Sequence, residues 1–265
     1  MNREEKIMKR MYEHWDFLIK NNYEVAYLAL CGSQNYNLDY ENSDIDTKAV
    51  VLPKFEDIVF NKEPISTTLI LENNEHIDVK DVRVMFNSYE KQNTNYIETL
   101  FTDFKIINPE YKSIIKELFD NAEEIAHINF NQAIKCMAGM SMEKLKALKH
   151  PYPTIIDKIE KFGYDPKQLH HILRLNDFIK KYGIEQLPYK KCLIPDNPER
   201  LIEIKKGILS EEEATKLAHK YDNDTNRIKN KLLKKNININ QKGIDILNNV
   251  KYNLLRYKFS KDIKD

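Results

Sequence analysis

Three short stretches carry residue types suited to phosphate chemistry: Gly32-Ser33, Asp44-Ile45-Asp46 and Ile77-Asp78-Val79. Side chains alternate along a strand, so Asp44 and Asp46 of an extended segment point to one side, about 6 to 7 Å apart. Asp78, flanked by β-branched residues, can join them from a neighbouring strand; Glu75 and Asp81, close by in the chain, are alternatives for that third position. Three carboxylates on one face repel one another. Two divalent cations about 3.5 to 4 Å apart would neutralise them and hold a triphosphate in line with an attacking hydroxyl. Mg²⁺ suits such oxygen ligands, with Mn²⁺ as a substitute. Gly32 would let a phosphate approach the backbone closely, and the Ser33 hydroxyl and adjacent amides could donate to it. These residues outline a nucleotidyl-transfer site in which the catalytic acids Asp44, Asp46 and Asp78 all bind metal, Asp44 and Asp46 holding the metals and Asp78 holding the catalytic one, where it could also accept the hydroxyl proton.

An Asp-x-Asp pair alone is a common surface pattern, so the elements that would position it matter. Residues 4 to 20 place Ile7, Met11, Trp15 and Leu18 along one face of a helix that would cover a sheet. Val25 to Cys31 is a continuous apolar run ending at Gly32, the pattern of a strand buried on both sides. Asp44 to Leu52, stopped by Pro53, reads as a second strand with the acids at its start. Two acids at the inner end of an apolar strand are costly without cations or hydrogen bonds. Thr67 to Leu71 and His76 to Val79 flank a polar turn and read as a hairpin. Asp81 then caps a helix carrying Val84, Met85 and Tyr89. Beyond it almost no strand signal remains, and 134–148, 166–182, 211–221 and 243–257 all have helical spacing.

Composition excludes several classes. The chain has 265 residues, 42% hydrophobic, enough to bury a core. Its 6 glycines include no dinucleotide-binding fingerprint. The net charge of +1 hides an asymmetry: from Arg227 onward it is +8, leaving −7 for the first 226 residues. Three distant cysteines, Cys31, Cys136 and Cys192, match neither a zinc site nor a disulfide framework and fit a reducing, cytoplasmic setting. No apolar run approaches the roughly 18 residues of a membrane span.

The Gly32-Ser33 turn followed by Ser43-Asp44-Ile45-Asp46 resembles the signature of the DNA polymerase beta superfamily of nucleotidyltransferases. More narrowly, Gly32-Ser33-Gln34-Asn35-Tyr36-Asn37-Leu38 through Asp46-Thr47 is similar to a branch of predicted nucleotidyltransferases of bacteria and phages. Asn93 to Phe101 and Gly163 to Leu175 match two further blocks of that branch, with a weaker match near Arg200 to Gly207. The departures are Asn37, where the branch usually has Gly, and Thr94, where it has Pro. The resemblance implies transfer of a nucleoside monophosphate from a nucleoside triphosphate to an acceptor hydroxyl, with release of pyrophosphate. The acceptor could be a small molecule, a protein side chain as in antitoxin-like members, or an RNA end. A catalytically inactive nucleotide- or RNA-binding module is the rival from another class.

In the helical half, Asp165 and Pro166 start a helix on which Lys167, His171 and Arg174 share a face. With the resemblance they read as nucleotide-binding contacts to a triphosphate; a solvated polar stripe is the alternative. Glu98, in an Asn-x-x-Glu pattern with Asn95, reads as a capping box. Lys229, Lys231, Lys234, Lys235, Lys251, Arg256, Lys258, Lys261 and Lys264, interleaved with Tyr252 and Tyr257, could track an RNA backbone or merely balance the acidic remainder. The expected architecture is α/β (α+β): a nucleotidyltransferase domain with a mixed sheet over residues 1–125, an α-helical domain over 126–265, and the active site between them.

Overall fold

The amphipathic N-terminal segment is helix α1 (Arg3–Lys20) in the computed structural model, which describes residues 2–40, 43–235 and 237–263. Its start is a capping box: the Asn2 side chain accepts from the Glu5 amide at 2.8 Å, and Glu5 accepts from the Asn2 amide at 2.9 Å. Ile7, Met11 and Leu18 are buried as the spacing predicts, but the fourth buried position is His14, with Trp15 only partly covered.

The apolar run is β1 (Val25–Cys31), buried along its whole length. The segment after the acids is β2 (Asp46–Val51), followed by a short helix α2 (Phe55–Val59) and the hairpin β3 (Ser66–Ile70) and β4 (His76–Asp81). Asp81 accepts from the Arg83 amide and so caps α3 (Val82–Glu90), as expected. One strand escapes the sequence: β5 (Lys105–Ile107), after the turn of helix α4 (Thr94–Ile97), is three residues long, too short to display alternation. The five strands form one mixed sheet in the order β3-β4-β2-β1-β5, parallel between β2 and β4 and antiparallel elsewhere. One face, with Leu28, Leu30, Ala49, Val51, Ile77 and Val79, packs on Ile7, Met11 and Leu18 of α1. The other face carries Tyr27, Cys31, Asp46, Lys48 and Asp78, because the register pairs Cys31 with Asp46 and Lys48 with Asp78.

Helices α5 (Lys112–Asp120) and α6 (Ala122–Ala126) follow, and then α7 (Phe130–Ala147), α8 (Ile156–Phe162), α9 (Pro166–Lys180), α10 (Tyr189–Leu193), α11 (Pro198–Lys205) and α12 (Glu211–Leu232). The fold class is thus the expected one, a mixed sheet with helices followed by an all-helical part. The last helix, α13 (Gln241–Asp262), departs from a single division at residue 125. It belongs with the sheet in a first compact unit of residues 2–35, 43–129 and 239–263, while 36–40 join 130–235 and 237–238 in the second. Phe259 meets the Phe55 ring, Tyr257 meets Tyr111 edge-on, and the Asn240 amide donates to the Ile128 carbonyl. Among the described residues, no helix is long and apolar enough to cross a membrane.

The seat of α13 yields a first prediction. A Cβ at Gly243 would stand 2.5 Å from the Glu124 carbonyl oxygen, whereas one at Gly139 in α7 would meet nothing within 4 Å. Gly243→Ala therefore lowers stability by about 1 to 3 kcal/mol through overpacking, while Gly139→Ala raises it by about 0.5 to 1 kcal/mol as a helix-propensity gain. Thermal melts of the two variants should move in opposite directions; an unchanged melt for Gly243→Ala would contradict this packing.

Candidate active site

Strand alternation and register bring two of the three acids together. Asp46 opens β2, Asp78 lies in the parallel neighbour β4, and both project from the face opposite α1. Asp44 precedes the strand and is exposed. The Asp46 Oδ1 accepts from the His76 amide at 3.0 Å and lies 3.5 Å from the His76 ring nitrogen Nδ1. Asp78 is held differently. Lys48 Nζ lies 3.3 Å from its Oδ2 and Lys80 Nζ 2.9 Å from its Oδ1, and Lys80 also donates to Ser66 Oγ at 2.9 Å. Lys48 sits 5.1 Å from the Tyr96 ring centroid, a cation–π contact on its other side. Burial works against the Lys48 charge, and the Asp78 carboxylate beside it outweighs that cost, so the ammonium is held above its ordinary value. Burial also pushes the Cys31 thiol far up, leaving it a neutral, inert side chain beneath the acids.

The two alternative third acids are engaged elsewhere. Glu75 faces α1: its Oε2 accepts from Arg10 Nη2 at 2.7 Å and Nε at 2.9 Å and stands 3.1 Å from His14 Nε2. Burial would raise the Glu75 pKa, but hydrogen bonds from Arg10, Asn73 and His14 hold it below the usual range. Its Oε1 accepts from the Ile45 amide at 3.4 Å, and His14 Nδ1 meets Thr47 Oγ1 at 2.9 Å. Ile45 and Thr47 alternate with Asp44 and Asp46, so buried Glu75 and His14, with the partly exposed Arg10, grip the acid-bearing segment from behind. Asp81 is bound to the Arg83 side chain at 2.6 and 2.8 Å in addition to its capping role.

Gly32 begins a 3₁₀ turn, Gly32–Tyr36, directly after β1. Its φ of +80° requires glycine, and the space where a Cβ would stand is open to 4 Å. Cys31 pairs with Asp46, so the Gly32-Ser33 turn leaves the sheet at the end where Asp44 and Asp46 enter it. Asn35 pins the turn: its Nδ2 donates to the Leu30 carbonyl at 2.8 Å and its Oδ1 accepts from Thr102 Oγ1 at 2.8 Å. Both departures from the resembled pattern are accommodated. Asn37 adopts φ +57°, the left-handed conformation that asparagine tolerates best after glycine. Thr94 takes the first helical position of α4, where proline is also at home, behind the Asn93 cap.

The acids and the Gly32-Ser33 turn lie in the first unit; Lys167, His171 and Arg174 lie on α9 in the second. Asp165 caps that helix by accepting from the Lys167 amide at 3.0 Å. The three side chains differ in character. Lys167 is exposed, burial holds the His171 pKa well below its ordinary value, and Arg174 is buried with its guanidinium 4.1 Å above the Tyr36 ring centroid. Glu98 is buried rather than a surface cap, since Asn93 supplies the cap by accepting from the Asn95 amide. In the basic C-terminal segment, Lys258 pairs with Asp262 and Lys261 with Glu110, while Lys264 lies outside the described residues.

Sequence reasoning missed Lys48 and His76 beside the acids. The alternation that placed Asp44 and Asp46 on one side also places Lys48 there, so its signal was present; that of His76 depends on the parallel register. Among the described residues, no group of three or more His, Cys, Asp or Glu side chains is arranged to hold a metal ion. The donor chemistry fits one cation, since Asp44 and Asp46 offer hard carboxylate oxygens and neither is paired with a lysine or arginine among the described residues. A second cation between Asp46 and Asp78 is opposed by the Lys48 and Lys80 ammonium groups that lie 3.3 and 2.9 Å from the two Asp78 oxygens, although the buried Oδ1 accepts no hydrogen bond among the described residues.

No protein-family model matches the chain, and no curated protein sequence matches it. Among solved structures the chain is similar to a nucleotidyltransferase-like protein from Exiguobacterium sibiricum 255-15, with 10% sequence identity and a TM-score of 0.31 over 96% of this chain and 80% of that one.

Proposed function

We propose that the chain is a nucleotidyltransferase that moves a nucleoside monophosphate from a nucleoside triphosphate to an acceptor hydroxyl. The observation that carries this reading is the convergence at one end of the sheet: an open glycine turn after β1 and two acids entering antiparallel β2, joined through the Cys31–Asp46 pair. In the reaction, the acceptor oxygen bonds to the α-phosphorus, the bond from that phosphorus to the bridging oxygen breaks, pyrophosphate leaves with the electron pair, and the hydroxyl proton passes to water. Mg²⁺ or Mn²⁺ on Asp44 and Asp46 would neutralise phosphate oxygens and polarise the α-phosphate. Gly32 gives the phosphates access to the backbone, and the Ser33 hydroxyl donates to them. The His76 amide fixes the Asp46 carboxylate in one orientation.

The test is incubation with each of the four labelled ribonucleoside triphosphates and Mg²⁺ over small-molecule, protein and RNA acceptors, with pyrophosphate release measured alongside. Label should pass to one acceptor class with equimolar pyrophosphate. Mg²⁺ plus the preferred nucleotide should also raise the melting temperature through binding to the native state alone. A thermal shift without transfer would favour the inactive binding module, and neither effect would overturn both.

A further inference from the structure

We infer that Lys48 takes the place of a second catalytic cation, so that the site works with a single metal ion. The inference rests on the nucleotidyl-transfer reading above and adds to it a catalytic residue and a metal count. Three carboxylates on one face would ordinarily call for two divalent ions, with Asp78 serving the one nearer the attacking hydroxyl. Here the β2–β4 register sets Lys48 directly opposite Asp78 and two residues beyond Asp46 on the same face. Its ammonium therefore stands on the side of Asp78 that faces the acid pair.

This placement is built in rather than incidental. Lys48, Asp78 and Lys80 side chains are only 12%, 16% and 10% exposed, so their charges are poorly screened by water. Lys80 is tethered to Ser66 and Lys48 is backed by the Tyr96 ring, so neither ammonium can withdraw without losing a partner. A divalent ion on Asp78 would have to sit beside the Lys48 and Lys80 ammonium groups at this sheltered carboxylate, which like-charge repulsion opposes. A phosphate oxygen meets the reverse situation. Lysine is a compact point charge suited to phosphate, and with one donor of its three given to Asp78, Lys48 can keep that partner while donating to an anion. Asp44 and Asp46 would hold the one metal ion, and the Lys48 ammonium stabilises charge building on the α-phosphate oxygens as the acceptor oxygen bonds to phosphorus and pyrophosphate departs.

The deciding measurement counts metal. Mn²⁺ is titrated into the intact protein saturated with the non-hydrolysable α,β-methylene analogue of whichever nucleotide binds, with free Mn²⁺ followed by its paramagnetic resonance signal. Wild type should bind one Mn²⁺ per chain. Lys48→Met should weaken the analogue and slow transfer by about 10²-fold, the scale of losing one charged stabiliser, and Lys48→Arg should restore a substantial part of both. Two Mn²⁺ per chain in wild type would overturn the inference while leaving nucleotidyl transfer intact, as would a Lys48→Met variant with unchanged affinity and rate. Should Lys48→Met fail to fold, the wild-type count still decides. Failure of wild type to bind any of the four analogues would defeat the nucleotidyl-transfer reading and this inference with it.

Discussion

Asp46→Asn cuts nucleotidyl transfer by about 10³-fold, the scale expected when a central charge in a transition-state site is removed, and leaves the melting temperature near that of wild type. The stability half follows from the contacts. Asparagine keeps the Oδ1 acceptor that receives the His76 amide, and no lysine or arginine among the described residues is left behind. Asp44→Asn, at an exposed position, should behave alike. Asp78→Asn makes the contrast, because it strands two sheltered ammonium groups. Removing one member of a buried ion pair costs about 3 to 5 kcal/mol, and the partial exposure here brings the expectation to about 2 kcal/mol. Steady-state transfer and thermal melts on the three variants give the check. A wild-type rate for Asp46→Asn would remove the acids from the mechanism, and an unshifted melt for Asp78→Asn would mean that its lysines are not pinned as described.

The second large effect is acid sensitivity. Burial depresses the pKa of His14, His170 and His171, that of His170 to about 4. In the unfolded chain each histidine takes a proton near pH 6.5. Between that pH and the folded values the unfolded state binds more protons, so stability falls as pH drops below about 6.5 and is unaffected above it. The shift of His170 alone corresponds to about 3 kcal/mol by the time the pH reaches 4. Glu75, held below its ordinary value, adds a loss that begins as the pH falls below its unfolded value near 4.5. Asp177, raised chiefly by burial, works the other way. The melting temperature should therefore decline steeply from pH 6.5 to 4.5, and His170→Gln should flatten part of that decline. A flat profile across that window would show that these rings are hydrated in solution.

What the sequence revealed divides by range of interaction. The limits of β1 were readable to the residue, because a continuous apolar run of strand length, stopped by a glycine, favours a buried strand over a helix. Likewise Asp81 and Asp165 announced their helices, since a cap acts on amides two residues away. That the acid pair and the glycine turn meet at one end of the sheet was legible through order and spacing. Features set by distant partners were not. His14 occupies a core position of α1 only because Glu75, 61 residues later, meets it there. Strand β5 exists because the edge of β1 offers it a ladder; its three residues carry no pattern of their own. The lysines on Asp78 required the parallel register of β2 and β4, which no local signal specifies.

The return of α13 to the sheet-bearing unit has a consequence for how the chain reaches its native state. The surface that α13 covers, including Tyr111 and the Glu124 backbone, is complete once residue 129 has been made, yet its cover begins at Gln241. Synthesis at about 5 to 20 residues per second leaves that surface bare for roughly 5 to 20 seconds while the second unit emerges. The second unit, being helical and locally connected, can fold in that interval far faster than it is synthesised. The sheet unit therefore closes last, across a loop that the folded helical insert has already shortened, and a ribosome-stalled chain ending before Gln241 should display a sheet unit that proteases still cut.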